Sequence, residues 1–314
     1  GLLSKLDSDR HTEEMLRHDI HSIDLLVVNL YPFEETLKKN ASHEEMIENI
    51  DIGGPAMLRS AAKNYLWTAP LVNPKKYGEV LNMLKAEHLT LNIDFRIKLA
   101  AEVFRHTADY DAMIAGYFNS KTEQTVPDIL TLTGKMEQPL RYGENPHQKA
   151  ALYGNFLDIF EQLHGKELSY NNIVDMDAAA KLMLEFDETA IAIIKHTNPC
   201  GAATASTLKE AWEKAFATDN VSPFGGIIIV NRPVNLEAAE AVHDIFTELI
   251  IAPEFSEDAL NLLMKKKARR LLKVNFEKLR NTVKNDIKSV SGGFLMQNSD
   301  TKLIESDFKV VTKR

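Results

Sequence analysis

Cysteine is almost absent: Cys200 is the single one in 314 residues. One thiol excludes an internal disulfide framework, and alone it builds neither a thiolate zinc site nor the metal centre of a zinc nucleobase deaminase. That usage fits a reducing cytoplasm. No apolar run reaches the ~20 residues that a membrane-spanning helix needs, and the opening GLLSKLDSDRH lacks the basic-then-apolar order of a secretory signal. Basic charge is in deficit, with 37 Lys and Arg against 45 Asp and Glu and a formal net charge of −8. This argues against a general nucleic-acid or anionic-membrane binder but leaves room for a local positive pocket that holds a phosphate. There is no G-x-x-x-x-G-K-[ST] loop, no G-x-G-x-x-G after a strand and no H-E-x-x-H. ATPase, dehydrogenase and zincin chemistry therefore lose support, and metal-free catalysis is expected.

What is present is ordinary for a globular α/β protein: 44% hydrophobic and 26% charged residues, in a chain long enough for two domains. The polar stretch from Ser120 ends at Pro127, which sets a boundary between domains at 1–125 and 126–314. In the first part, Ile23–Leu30 reads as a buried strand and Ser42 with Glu45 as the start of a short helix through Ile50. Gly53, Gly54 and Pro55 open a further helix, with Met57, Leu58, Ala61 and Ala62 as its apolar face. Thr68–Val72 reads as a strand, Pro74–Glu87 as a helix and Ile93–Asn119 as a long helix packed through Ile97, Ala100, Ala101 and Phe104.

The second part turns on Ala190–Ala203, AIAIIKHTNPCGAA. Ile191–Ile194 has the composition of a strand buried on both faces, and it ends in Lys195 and His196. The turn formers Thr197, Asn198, Pro199 and Gly201 then reverse the chain, placing both ionisable groups at the mouth of a sheet. Around them lie RYGENPHQ (Arg141–Gln148), SYNN ahead of a helix that begins near Asp175 or Asp177, the loop from Asp219 to Gly226 before a strand at Ile227–Val230, and ELIIAP (Glu248–Pro253). The basic run Lys265–Arg270 reads as the solvated end of a helix.

These motifs, together with NLYPF, NIDIGG and AAKN in the first part, resemble the bifunctional AICAR formyltransferase/IMP cyclohydrolase family. The resemblance implies a partial Rossmann-like, methylglyoxal-synthase-like three-layer cyclohydrolase domain followed by a cytidine-deaminase-like α/β transformylase subdomain. It also implies the last two steps of IMP synthesis. A formyl group passes from the co-substrate 10-formyltetrahydrofolate to AICAR, giving FAICAR, and ring closure with loss of water gives IMP.

Residue by residue, the resemblance makes Lys195 and His196 the transformylase pair and Tyr31, Asp51 and Lys63 the cyclohydrolase residues. Nucleotide contacts are implied for Arg141, Tyr142, Gly143, Ser222, Phe224, Gly225 and Glu248, with core packing as the other reading of Phe224, and Asn171 or its neighbour Asn172 is placed near the folate or the nucleotide. A homodimer is implied, with no metal, nucleic acid or membrane partner. Against the family pattern both ends look cut, so a catalytically incomplete chain that binds nucleotide without turnover is the alternative expectation.

Overall fold

The computed structural model describes residues 1–86, 89–122, 126–282 and 285–300. It divides the chain into two compact units, Gly1–Gly134 and Lys135–Arg314.

In the first unit, α1 (Asp9–Arg17) precedes β1 (Leu25–Val27), α2 (Phe33–Lys38), α3 (His43–Glu48), α4 (Gly53–Lys63), β2 (Ala69–Leu71), α5 (Tyr77–Ala86) and α6 (Ile93–Asn119). Strands β1 and β2 pair in parallel, Leu25 opposite Ala69. The long helix organises the rest. Phe95 and Leu99 join a cluster with β2, Ala100 and Val103 pack with Leu58 and Ala62 of α4, and Tyr110 and Tyr117 close on Phe33 and Met46.

Several expected apolar faces are rotated. Ile97 and Phe104 are exposed, whereas Phe95, Leu99 and Val103 are buried at four-residue spacing. Phe104 instead receives the Arg59 guanidinium, 5.4 Å from its ring centroid. Met57 of α4 is likewise exposed. Strand β1 is shorter than its apolar run and half open, because β2 is its one partner among the described residues and Leu25 and Val27 remain exposed.

The second unit begins with the antiparallel pair β3 (Met136–Leu140) and β4 (Ala150–Tyr153). There follow β5 (Phe160–His164), α7 (Tyr170–Met183), β6 (Ala190–Lys195), β7 (Asn198–Thr204), α8 (Leu208–Thr218), β8 (Ile227–Val230), α9 (Leu236–His243), β9 (Leu249–Ala252), α10 (Glu257–Leu263), β10 (Arg270–Val274), α11 (Phe276–Thr282) and the hairpin β11 (Asn285–Val290)/β12 (Gly293–Asn298). Six strands form one mixed sheet in the order β5-β10-β9-β8-β6-β7, with β8, β9 and β10 parallel and β6 antiparallel to both neighbours.

Alternation along β6 splits its side chains between two cores. Ile191 and Ile193 pack with α8 and α9, and Ala190, Ala192 and Ile194 pack with α7. Strands β8 and β9 divide in the same way. The continuous apolar runs therefore reflect a sheet covered on both faces, each buried Ile contributing about 1.5–3 kcal/mol of transfer free energy.

The helix that carries SYNN starts earlier than the sequence suggests. Ser169 caps it, accepting the Asn172 N–H while the Asn172 side chain accepts the Ser169 N–H, so SYNN is the cap and first turn rather than a loop.

The basic run Lys265–Arg270 is not a solvated helix end. Helix α10 stops at Leu263, and Arg269 is only 2% exposed. Its Nη2 donates to the carbonyls of His243 and Ile245 at 3.0 and 2.8 Å, and Lys266 Nζ donates to those of His243, Asp244 and Ile245. Two cations thus cap the C-terminal end of α9, where carbonyls lack helical partners. Burial pulls Arg269 down to about 10 and lowers Lys266. His243 is also lowered, first by burial and then by the Lys266 and Arg269 charges.

His243 therefore binds fewer protons folded than unfolded, so stability is full above the ordinary histidine value of 6.5 and is lost as pH falls below it. Urea melts between pH 7 and 5 will show this slope, and His243→Gln will flatten it. Gly201 of β7 lies against α8 so closely that an added Cβ would overlap the Ala215 carbonyl. Gly201→Ala will accordingly lower stability by about 3 kcal/mol in the same melts.

Candidate functional site

The second unit contains a cavity of about 460 Å³, walled by the loop after β3, the start of α7, the tip of β6, the turn before β8 and the entries to β9 and β10. Of the sequence-derived residues, Tyr142, both Asn171 and Asn172, Lys195, His196, Gly225 and Glu248 line it. Lys166, Lys195 and Arg270 stand against Asp175 and Glu248. An acidic chain therefore offers a mixed pocket with one more cation than carboxylate.

Its edge is built by the β6–β7 hairpin. Lys195 pairs with Asn198, which leaves His196 and Thr197 alone to reverse the chain. Their φ values are 52° and 64°, left-handed at both central positions as a two-residue hairpin of this twist requires. The turn is shorter than Thr197–Gly201, because Asn198 already belongs to β7. Left-handed backbone costs roughly 1–3 kcal/mol for a non-glycine residue, and a β-branched threonine is an outlier there. The arrangement exposes His196 at the rim, while Lys195 Nζ donates to the Phe224 carbonyl at 2.9 Å.

On the opposite wall, Glu248 ends the approach to β9. Its Oε2 accepts the Asn172 side-chain N–H at 3.1 Å and lies 3.8 Å from Arg270 Nη1. Arg270 is fixed further by the carbonyls of Lys166 and Glu167 at 2.8–3.1 Å. Burial lowers its pKa, and the Glu248 charge works against that shift. A planar guanidinium held in this way is suited to a phosphate or carboxylate.

Arg141, Gly143, Ser222 and Phe224 do not line the cavity. The Arg141 guanidinium sits 5.7 Å from the Tyr142 ring centroid. Gly143 is buried, its N–H bonded to the Gln148 carbonyl, and the Ser222 N–H is taken by Asp219. Phe224 is 63% exposed rather than core, its ring 4.9 Å from that of Phe246, which does line the cavity.

Reading by motif passed over Arg270, Lys166, Phe246 and Asp175. Arg270 was hidden in a basic run that resembles a helix end. Asp175, at a helix start, has a sufficient local explanation in the dipole.

In the first unit, Tyr31 and Asp51 come together at the start of α4. The Tyr31 N–H donates to Asp51 Oδ2 at 3.4 Å and the Gly54 N–H to Oδ1 at 2.7 Å, so Asp51 supplies the cap that Ile52 cannot. Tyr110 OH receives the Asp51 N–H at 2.8 Å and donates to the Asn49 carbonyl at 3.0 Å. Lys63 is the last residue of the same helix, roughly 15 Å along its axis from Gly53. It is not brought to Asp51.

Among the described residues no group of three or more His, Cys, Asp or Glu is placed to hold a metal ion. No described helix is long and apolar enough to cross a membrane.

Residues 61–314 match the family model described as AICARFT/IMPCHase bienzyme, and residues 4–56 match that of the MGS-like domain. The bifunctional purine biosynthesis protein PurH of Chloroflexus aurantiacus is 52% identical over 100% of this chain and 61% of its own length. The PurH of Pediococcus pentosaceus is 48% identical over 100% and 62%, and that of Caldicellulosiruptor saccharolyticus 46% over 100% and 63%. The chain spans about three fifths of the length of these curated relatives. The solved structure of ForH overlaps 39% of this chain and 63% of its own at 30% identity with a TM-score of 0.34, a likeness too slight to bear on the fold.

Replacing Gly54 tests how tightly Asp51 is fixed. An added Cβ would stand 2.6 Å from Asp51 Oδ2 and 2.7 Å from Leu30 Cδ2. Gly54→Ala will lower stability by about 2 kcal/mol and release Asp51, seen by NMR as faster hydrogen exchange of the amide at position 54.

Proposed function

We propose, from the premise that the chain belongs to the AICARFT/IMPCHase bienzyme family, that its second unit holds AICAR and carries formyl transfer from 10-formyltetrahydrofolate. The observation that carries the proposal is the placement of Lys195 and His196 on one hairpin, at the edge of a cavity that also contains Arg270 and Glu248. The volume of about 460 Å³ is within the range of small-molecule sites.

In this reading Arg270 and Lys166 meet the nucleotide's negative charge, Tyr142 and Phe246 meet its flat ring, and Glu248 orients polar ring substituents. The 5-amino group of AICAR is a weak nucleophile, since the ring and carboxamide draw on its lone pair. Its nitrogen attacks the formyl carbon and the carbon–N10 bond of the folate breaks. His196 takes the amine proton through its free imidazole nitrogen and returns a proton to N10. Lys195 stabilises the oxyanion formed at the formyl oxygen.

Ring closure belongs to the first unit in the same reading. The carboxamide nitrogen of FAICAR attacks the formyl carbon and water leaves, giving IMP. Asp51 would manage the proton on nitrogen, with Tyr31 and Lys63 stabilising developing charge. This assigns residues 1–125 to the cyclohydrolase and 126–314 to the transformylase. A homodimer at work in the cytoplasm completes the proposal.

The test is calorimetric titration with AICAR beside an assay that follows tetrahydrofolate and IMP separately. Binding without turnover would favour the alternative of a chain that holds nucleotide but is catalytically incomplete. Absence of binding would overturn the assignment. With turnover, His196→Ala will lower formyl transfer by at least about 100-fold while AICAR binding is largely kept, in the range for a general base.

A further inference from the structure

Asp175 lies in the second turn of α7 and in the wall of the cavity that holds Lys195 and His196. Its Oδ1 accepts the backbone N–H of Thr197 at 2.8 Å. That bond joins α7 to the second central residue of the hairpin turn, which has φ 64° beside 52° at His196. Left-handed geometry suits glycine, tolerates histidine and disfavours threonine. Residues 196–199 are all exposed, so side-chain packing does little to hold them in it.

The turn's other hydrogen bonds do not supply the missing restraint. Thr197 Oγ1 and Asn198 Nδ2 both donate to the His196 carbonyl, at 2.6 and 2.9 Å, which stitches the tip to itself. The Asp175 bond is the one that anchors it to a helix, among the contacts of the described residues. A carboxylate accepting a backbone N–H is among the stronger hydrogen bonds of a protein.

We propose that Asp175 is a positioning residue for His196: its carboxylate holds the His196–Thr197 turn left-handed and so fixes the imidazole at the cavity rim. The inference rests on the reading of this cavity as the AICAR site. It assigns Asp175 no contact with substrate and no proton transfer.

The experiment compares Asp175→Ala, Asp175→Asn and the double variant Asp175→Ala/Thr197→Gly in the full chain. Hydrogen exchange of the backbone amide at position 197 is followed by NMR in each, with the β6 and β8 amides as the control for folding, and AICAR affinity is measured by calorimetry. Loss of one charge-assisted hydrogen bond corresponds to roughly 10- to 100-fold. Asp175→Ala will speed Thr197 exchange by at least about 10-fold and weaken AICAR by a similar factor. Asp175→Asn keeps an acceptor oxygen and will stay within about threefold of the parent in both measurements. The added Thr197→Gly will restore affinity without restoring amide protection, because glycine enters the left-handed region at no steric cost.

Unchanged Thr197 exchange in Asp175→Ala overturns the proposal. So does a loss of AICAR affinity as large in Asp175→Asn as in Asp175→Ala with no rescue by Thr197→Gly, which would put the carboxylate on the ligand itself. Should the parent chain not bind AICAR, the nucleotide reading fails on its own account. The exchange rates then decide the positioning role alone.

Discussion

Lys195 and Asn198 face each other across β6 and β7, so the chain has two residues in which to reverse. Both must turn left-handed, and neither is glycine. This constraint governs the rim of the cavity. It stops Lys195 one residue short of the turn, where its side chain reaches the Phe224 carbonyl and ties the β6 tip to the loop before β8. It also places His196 outside the ladder, on a backbone too strained to persist without support from neighbouring elements. The support begins in the sheet. Ile191 and Ile193 are locked into one core and Ala192 and Ile194 into the other, so β6 cannot slip by one residue without inverting every buried side chain.

The second determinant is the division of labour within one basic run. Arg269 and Lys266 point into the protein and cap α9 through main-chain carbonyls. Arg270, the next residue, begins β10 and points the opposite way across the sheet, into the cavity. Strand alternation separates a structural guanidinium from a cavity-lining one at consecutive positions. Arg270 is held by two carbonyls and by Glu248, whose own partner Asn172 belongs to the cap of α7. Local positive potential in an acidic chain is thus achieved by fixed geometry rather than by net charge.

Much of this was legible in the sequence where local rules and tertiary structure agree. The span of α6, the span of β8 and the emergence of Lys195 and His196 from a doubly covered strand follow from apolar patterning alone. Patterning misled where exposure depends on the partner. Ile97 and Phe104 have helical spacing, yet the buried stripe of α6 runs through Phe95, Leu99 and Val103 because that is the face met by β2 and α4. Lys265–Arg270 misled for a different reason: composition reports charge but not the nearby α9 carbonyls that make burial of Arg269 tolerable. Asp175 was legible as a helix-start carboxylate. Its bond to Thr197 spans 22 positions and has no sequence signature.

The two units do not support their proposed chemistries equally. In the second, residues from the β3–β4 loop, α7, β6, the segment before β9, and β10 converge on one cavity although they are far apart in the chain. Convergence of that kind is not needed to build a sheet or cap a helix. In the first, Asp51 has each carboxylate oxygen engaged by a backbone N–H, and this suffices to explain it as the cap of α4. Lys63 stands at the far end of that helix. For Asp51 to carry a proton, one of those bonds must be exchanged for a bond to substrate; for His196, already exposed at a cavity rim, no such exchange is required. The weight of the functional argument therefore falls on the hairpin tip of the second unit.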